Sequence, residues 1–455
     1  MLAVIMGLAW PTMLEQLMQT AVQYVDTAMV GSLGTQATAA VGATSTVNWM
    51  VGSTVTAFGV GFLSFIAQAY GAKDKEAAGK AVSQAVLAVL VLGTFFTFVG
   101  LGLSGLVPVW MQVDKSIQTL CSQYFFILYV PMIARAASMI FGTVLRAAGD
   151  TKTPMRVGIV VNLVNVVLNF FMIYPCRYIS LFGLEIFMPG AGWGVIGAAI
   201  ASAISFVVGG VLITVALWRH PLISPRGQSL RPNPAILKPC FKIALPNMLQ
   251  RFGTSLGYVA FASMINSIGE VATAAHTIAN TVESAFYIPG YGMQTAAATL
   301  AGNAYGAKDK KRMEDLAAMF IPIEIGLMII SGGLLFIFAP SLVDIFSNND
   351  EVIRLGSTVL RMVAVSEPFY GFSIIIEGMM QGVGNTKVPF AFNIAGMWGV
   401  RIVGTFVCTQ LLSFGLVSAW ACMIAHNLLL FVLFMFCYIS GKWNPMNTKA
   451  KTSSR

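Results

Sequence analysis

The chain has 455 residues, of which 57% are hydrophobic and 10% charged, and its mean hydropathy is +0.77. A soluble domain carries about 25% charged residues, so the composition excludes a soluble enzyme or binding module and implies a polytopic membrane protein. The net charge of +9 therefore reports on topology and lipid headgroups rather than on nucleic acid.

The apolar runs form two sets of six. In the first set they cover about 3–30, 38–67, 81–107, 119–145, 156–175 and 192–218, and in the second about 239–265, 273–301, 316–341, 355–381, 388–413 and 417–440, each long enough to cross a bilayer as helix. The sets are copies. Gly31 to Val47 (GSLGTQATAAVGATSTV) aligns with Asn266 to Val282 (NSIGEVATAAHTIANTV), QAYGAKDKE from Gln68 with NAYGAKDKK from Asn303, and AAGDTKTPM from Ala147 with GVGNTKVPF from Gly382, all at an offset of 235. This is a tandem duplication. Because six is even, both copies point the same way, and a pseudo-two-fold axis along the membrane normal follows. The expected fold is thus all-α, with twelve transmembrane helices in two parallel six-helix repeats. It divides into an N-terminal lobe (1–218), a cytoplasmic linker (219–238), a C-terminal lobe (239–440) and a cytoplasmic tail (441–455).

Of the 27 lysine and arginine residues, 20 fall in one set of ends and loops, while the opposite loops hold only Lys115, Arg177 and Arg354. The basic side is cytoplasmic, which places both termini inside a multi-pass protein of the cytoplasmic membrane. The first run begins almost at Met1 without a charged leader, as expected of a retained first helix. The six cysteines form no CxxC pair and the three histidines no ligand box, so no metal centre, cofactor or catalytic cluster is expected. No GxxxxGK[ST] segment is present to bind a nucleotide.

Along the chain, Asp26 lies in the first helix within QYVDTAMV, without a basic neighbour, and such carboxylates are candidates for reversible protonation or sodium binding. Its repeat mate is Phe261. GAKDK at Gly71 and Gly306 reads as a tight turn with glycine as the helix C-cap, and Pro154 and Pro389 sit at helix starts. In the fifth run, Asn162, Asn165 and Asn169 make one polar face. The linker carries five prolines between Arg219 and Pro239 and reads as extended. The second copy holds intramembrane Arg251, Glu283, Glu324, Arg361, Glu367, Glu377 and Arg401, with salt bridges and transport roles as alternatives. Arg135 could neutralise an acid or receive an anionic group, and Pro131, Pro289, Pro322 and Pro368 are expected to kink their helices.

Several motifs together resemble the MATE family of multidrug and toxic compound extrusion transporters, of prokaryotic type: WPTMLEQLMQTAVQYVDTAMVGSLG from Trp10, AQAYGAKD from Ala67, GTVLRAAGDTKTPM from Gly142, GWGVIGAAIAS from Gly192, AGNAYGAKDKK from Ala301 and EGMMQGVGNTKVPF from Glu377. The resemblance implies two six-helix bundles around a cavity that opens alternately to each side, and export of amphipathic, often cationic, compounds in exchange for protons or sodium ions. It places Asp26 on the family's ion-coupling aspartate and Asn165 on an asparagine of the fifth-helix motif. Asn169 stands where many members carry aspartate, which leaves one acid at that site. The ion-coupling candidates are Asp26, Asn165 and Asn169, with Asp26 as the sodium ligand if sodium is the ion. The substrate-cavity candidates are Glu283, Glu367, Glu377 and Arg135. The expectation is a functional monomer acting on small molecules within membrane lipid, with no cofactor; the proton is preferred because sodium wants more oxygen ligands. The alternative is a flippase for a lipid-linked intermediate, which requires fixed cations in the cavity to hold phosphates.

Overall fold

The computed structural model describes residues 1–447 apart from 112, 182 and 183; residues 448–455 of the expected tail lie outside the described residues. The long helices are α1 (Leu2–Gly31), α2 (Thr35–Gly71), α3 (Lys75–Leu103), α5 (Lys115–Tyr129) with α6 (Met132–Ala147), α7 (Lys152–Ile173) and α8 (Gly194–Arg219), preceded in the α3–α5 loop by the single turn α4 (Val107–Trp110). There follow α9 (Pro234–Asn266), α10 (Glu270–Gly306), α11 (Lys310–Asp344), α12 (Asp350–Gly382), a span running from α13 (Lys387–Ile394) through α14 (Val403–Thr405) to Leu411, and α15 (Leu416–Ile439). Among the described residues, eight of these are long and apolar enough to cross a membrane, and nine if α5 and α6, bent by 53°, are one span. The other three are α1, α9 and α10. All three contain internal proline, and they carry Asp26, Arg251 and Glu283 respectively. Counted with these three, the long helical segments among the described residues number twelve, as expected.

Pro131 accounts for the α5/α6 break, since it cannot donate to the helical ladder and clashes with the preceding turn. Its counterpart segment in the second copy is the unbroken α12. The α13–α14 span contains two π-helical stretches, Ala395–Ile402 and Phe406–Leu411, a geometry that appears as local insertions in helices and is frequent at functional sites.

The duplication is written into the backbone. α1 and α9 end at Gly31 and Asn266, α2 and α10 run Thr35–Gly71 and Glu270–Gly306, α3 and α11 start at Lys75 and Lys310, and α6 and α12 end at Ala147 and Gly382, each pair 235 apart. The left-handed turn residues pair in the same way, Lys73 (φ 60°) with Lys308 (φ 55°) and Gly149 (φ 86°) with Gly384 (φ 85°). This corrects one expectation. Gly71 and Gly306 are the last helical residues rather than left-handed caps, and the following lysines take the positive φ. Glycine is required there for close approach: a Cβ on Gly71 would strike the backbone of Asn303, and one on Gly306 the backbone of Gln68. Gln68 and Asn303 are themselves repeat mates, so the ends of α2 and α10 meet in a reciprocal, locally two-fold contact.

Close contacts divide the chain into two compact units that do not follow the repeat boundary. One comprises Met1–Gln16, Leu63–Asp74 and Pro239–Arg455; the other comprises Leu17–Phe62 and Lys75–Lys238. In the first, Met293, Leu316, Phe320, Phe372, Ile376 and Phe434 form one buried core, and Phe261, Val359, Leu360 and Trp420 another. In the second, Val30, Ala37, Ile173, Val195 and Ala198 pack together. Helix faces left uncovered are apolar, as at Ile329, Ile330 and Ile337 of α11, which suits hydrocarbon rather than water.

Two features depart from the all-α, extended-linker expectation. Between α7 and α8 the chain forms an antiparallel hairpin, β1 (Pro175–Leu181) and β2 (Leu184–Ala191), with Tyr178 opposite Phe187. Arg177 stacks over Tyr174, its Cζ 3.8 Å from the ring centroid. The linker is not free either: Gln84 of α3 donates to the Arg231 carbonyl at 2.9 Å and accepts from the Asn233 amide at 2.9 Å, and Ile223 is fully buried. Its last residues, from Pro234, already belong to α9.

Candidate functional site

α7 turns Leu163 and Val167 outward and Asn165 and Asn169 inward. The asparagine face therefore points into the protein, toward α1 and α8. There Asn169 Nδ2 donates to Asp26 Oδ1 at 2.6 Å. With the Asn165 amide turned to satisfy both of its ends, its nitrogen donates to Asp26 at 2.8 and 3.0 Å while its oxygen accepts from Ser202 Oγ at 3.2 Å. Asp26 is half-buried. The carboxylate is held by neutral amides, and among the described residues no lysine or arginine nitrogen lies within ion-pair distance of it. Asn169 is 1% exposed and its Oδ1 has no hydrogen-bond partner. A buried amide oxygen beside a carboxylate suits a proton on that carboxylate or a small cation. Asn162, less buried than the other two, lies outside this hydrogen-bonded group.

Arg135 does not reach Asp26 as an ion pair; its guanidinium lies 4.9 Å from the Phe206 ring centroid. Tyr124 lies between their fields, an electrostatic neighbour of both. The cation is thus held by an aromatic face and, among the described residues, has no carboxylate partner within ion-pair distance.

The other compact unit holds the second-copy candidates, and the structure separates them into two groups. Glu377 is enclosed by amides: Gln250 and Gln381 donate to Oε1 at 2.8 and 3.0 Å, and Asn393 to Oε2 at 3.2 Å. Arg251, whose Nε donates to Asn247 Oδ1 at 3.0 Å, is its electrostatic neighbour. Glu367, by contrast, is 2% exposed, and its Oε2 has no partner; its charged neighbours are Glu283 and Glu324. Beside them Tyr287, Tyr291 and Tyr370 form a cluster, with the Tyr291 and Tyr370 hydroxyls 3.0 Å apart and Tyr287 edge-on to both rings. The π faces of such rings, with carboxylates beside them, attract a desolvated organic cation.

Arg401, buried in the first π-helical stretch, lies over Phe261 at 4.1 Å and Tyr258 at 4.8 Å. Phe261 is the repeat mate of Asp26, so the position that carries a carboxylate in the first copy carries in the second an aromatic ring with a guanidinium over it. Neither Arg251 nor Arg401 forms a salt bridge among the described residues, and Arg361 donates to the Phe336 carbonyl at 3.3 Å. A cleft of about 380 Å³ on the outer side of α11, α12 and α15 is lined by Pro322, Ile325, Pro368, Phe369, Phe431 and other apolar groups. It holds no charged side chain and is not the candidate site.

The MatE family model matches residues 11–171 and again 246–407, together most of the chain. The chain belongs to the MatE family. The two matches begin 235 residues apart, so this MATE chain carries one family unit per repeat. It is 26% identical over 436 residues to the "Probable multidrug resistance protein NorM" of Thermotoga maritima, covering 96% of this chain and 92% of that one. It is 25% identical to the "Probable multidrug resistance protein YoeA" of Bacillus subtilis, covering 90% and 87%. Among solved structures, one described as MATE in complex with MaL6 superposes with a TM-score of 0.90 at 22% identity, covering 98% of this chain and 97% of that one. The last likeness concerns the fold alone.

Within this MATE fold the structure brings Asp26, Asn165 and Asn169 together, places Glu283 beside Glu367, and sets Glu377 apart. Sequence reasoning missed Ser202, Gln250 and Asn393 as partners, because an isolated serine or amide in an apolar run carries no signal until its neighbour across the helix interface is known. Tyr287 and Tyr291 have helical i, i+4 spacing, a signal that was legible. Their partner Tyr370, in α12, was not.

Proposed function

We propose that this MATE chain is a secondary active antiporter, exporting amphipathic cationic compounds in exchange for protons or sodium ions by alternating access. The observation that carries the reading is the Asp26 carboxylate, held by two asparagine amides and, among the described residues, by no fixed cation. A carboxylate in that setting is costly when both charged and empty, so a proton, a sodium ion or a cationic substrate each relieves it, and competition for the relieved state links inward ion movement to outward substrate movement. The tyrosine cluster flanked by Glu283 and Glu367 supports a preference for organic cations. The names of the relatives, both multidrug resistance proteins, support drugs as substrates. The charge distribution supports cytoplasmic termini, and the chain is taken to work as a monomer.

The test is efflux in an exporter-deficient host and in proteoliposomes, with ethidium, a fluoroquinolone and an anionic dye, under an imposed pH or sodium gradient. Gradient-driven loss of the cations supports the reading. Protection confined to the anion, or movement of a lipid-linked saccharide without any gradient, overturns it.

A further inference from the structure

Glu324 of α11 is fully buried, and among the described residues neither of its carboxylate oxygens has a hydrogen-bond partner. Glycines make room for it from two sides: a Cβ on Gly290 of α10 would lie 2.6 Å from Glu324 Oε1, and one on Gly371 of α12 3.2 Å from its Cγ. Apolar atoms crowd the same place: the Met328 terminal methyl and the Ile374 side chain both lie within 4 Å of the Gly290 Cβ position. Glu367 stands one helical turn before Gly371 on the same face of α12, its Cβ 3.5 Å from the Cβ position of Gly332 on α11. The two acids therefore lie on one α11–α12 seam. The charged and titratable groups facing it are Glu283 and Tyr287 from α10, with Arg401 from the first π-helical stretch as the neighbour of Glu283.

With no donor on either oxygen of Glu324 and none on the buried Oε2 of Glu367, the two acids are costly to ionise together, because their charges there are unpaired and repel one another. A proton needs no further ligand there, whereas a sodium ion wants several oxygens, and the atoms crowding Gly290 beside Glu324 Oε1 include the Met328 methyl and the Ile374 side chain. We infer that Glu324 and Glu367 are a second proton-carrying site, sited in the second repeat and separate from Asp26. Glu324 is the interior member. Glu367, which shares Tyr287 as a neighbour with Glu283, is the member that exchanges its proton when a cation enters the tyrosine cluster. This rests on the antiporter reading and adds to it a second group in the proton stoichiometry.

The protein, reconstituted in liposomes, is titrated while the infrared carbonyl stretch of protonated carboxyl groups is recorded, a measurement that needs no substrate. The wild type is expected to keep such a band at neutral pH, and Glu324→Gln and Glu367→Gln each to lose part of it, whereas Asp26→Asn leaves that part in place. In the same liposomes, loaded with a pH dye, protons entering per ethidium leaving are expected to fall about twofold in Glu324→Gln, as loss of one of two linked sites requires. An unchanged band and proton count in both glutamine variants overturns the inference, as does a wild-type band that appears only when sodium is removed. Should the variants fail to fold, a wild type with no neutral-pH band overturns it alone. Failure of the antiporter reading looks different: the wild type then shows no gradient-driven ethidium efflux at all, whatever the band does.

Discussion

Replacing Asp26 with asparagine separates coupling from folding. The shape is nearly kept, and the amide oxygen still accepts from Asn169. What is lost is the charge assistance of the 2.6 Å contact. A hydrogen bond to a charged group contributes about 1.5–3 kcal/mol and a neutral one about 0.5–1.5 kcal/mol, so the fold should lose roughly 1–1.5 kcal/mol, a small part of about 5–15 kcal/mol of net stability. Transport behaves differently, because an amide at this position neither takes up nor releases a proton and binds sodium weakly. Uphill ethidium efflux from proteoliposomes under an imposed pH or sodium gradient should fall by about two orders of magnitude or more, as expected when the linked equilibrium disappears rather than shifts. Downhill movement and ethidium binding should stay within a few-fold of wild type. Near-normal uphill efflux by Asp26→Asn, under either gradient, refutes the reasoning and moves coupling to Glu283, Glu367 or Glu377.

Asn169→Leu removes the donor to Asp26 and the unpartnered amide oxygen together, and is expected to depress gradient-driven efflux strongly while the protein still purifies folded; wild-type efflux would show that the asparagine is only packing. Gly306→Val forces a side chain into the Gln68 backbone and should cost about 1–3 kcal/mol, read as a lower melting temperature in detergent. Gly326→Ala, with nothing within 4 Å of the new Cβ, serves as the control that should not move. Glu377→Leu strands three amides, at about 1–3 kcal/mol for each donor left unpaired, whereas Glu377→Gln should retain fold and efflux; loss of efflux in a well-folded Glu377→Gln would make that acid part of transport rather than a clamp between α9, α12 and α13.

The sequence by itself determined the membrane class, the number of spans and the duplication. The reason is that hydrocarbon allows few backbone solutions, so length and hydropathy nearly suffice, and a constant 235-residue offset survives wherever helix ends and turns keep their residues. Asp26, Asn165 and Asn169 were legible for the same reason, being polar groups at helical spacing in an apolar setting. Other features depended on what lies across an interface. Gly71 and Gly306 read as caps, and only the approach of the Asn303 and Gln68 backbones explains them. Glu377 and Glu324 look alike as lone acids in apolar runs. In the tertiary structure one is enclosed by Gln250, Gln381 and Asn393, and the other is left without a donor between Gly290, Met328 and Gly371. A buried carboxylate is defined by the donors around it, and for Glu377 these come from α9, α12 and α13, up to 127 residues away in the chain, so tertiary packing alone decided which acid is enclosed by donors and which is left without one.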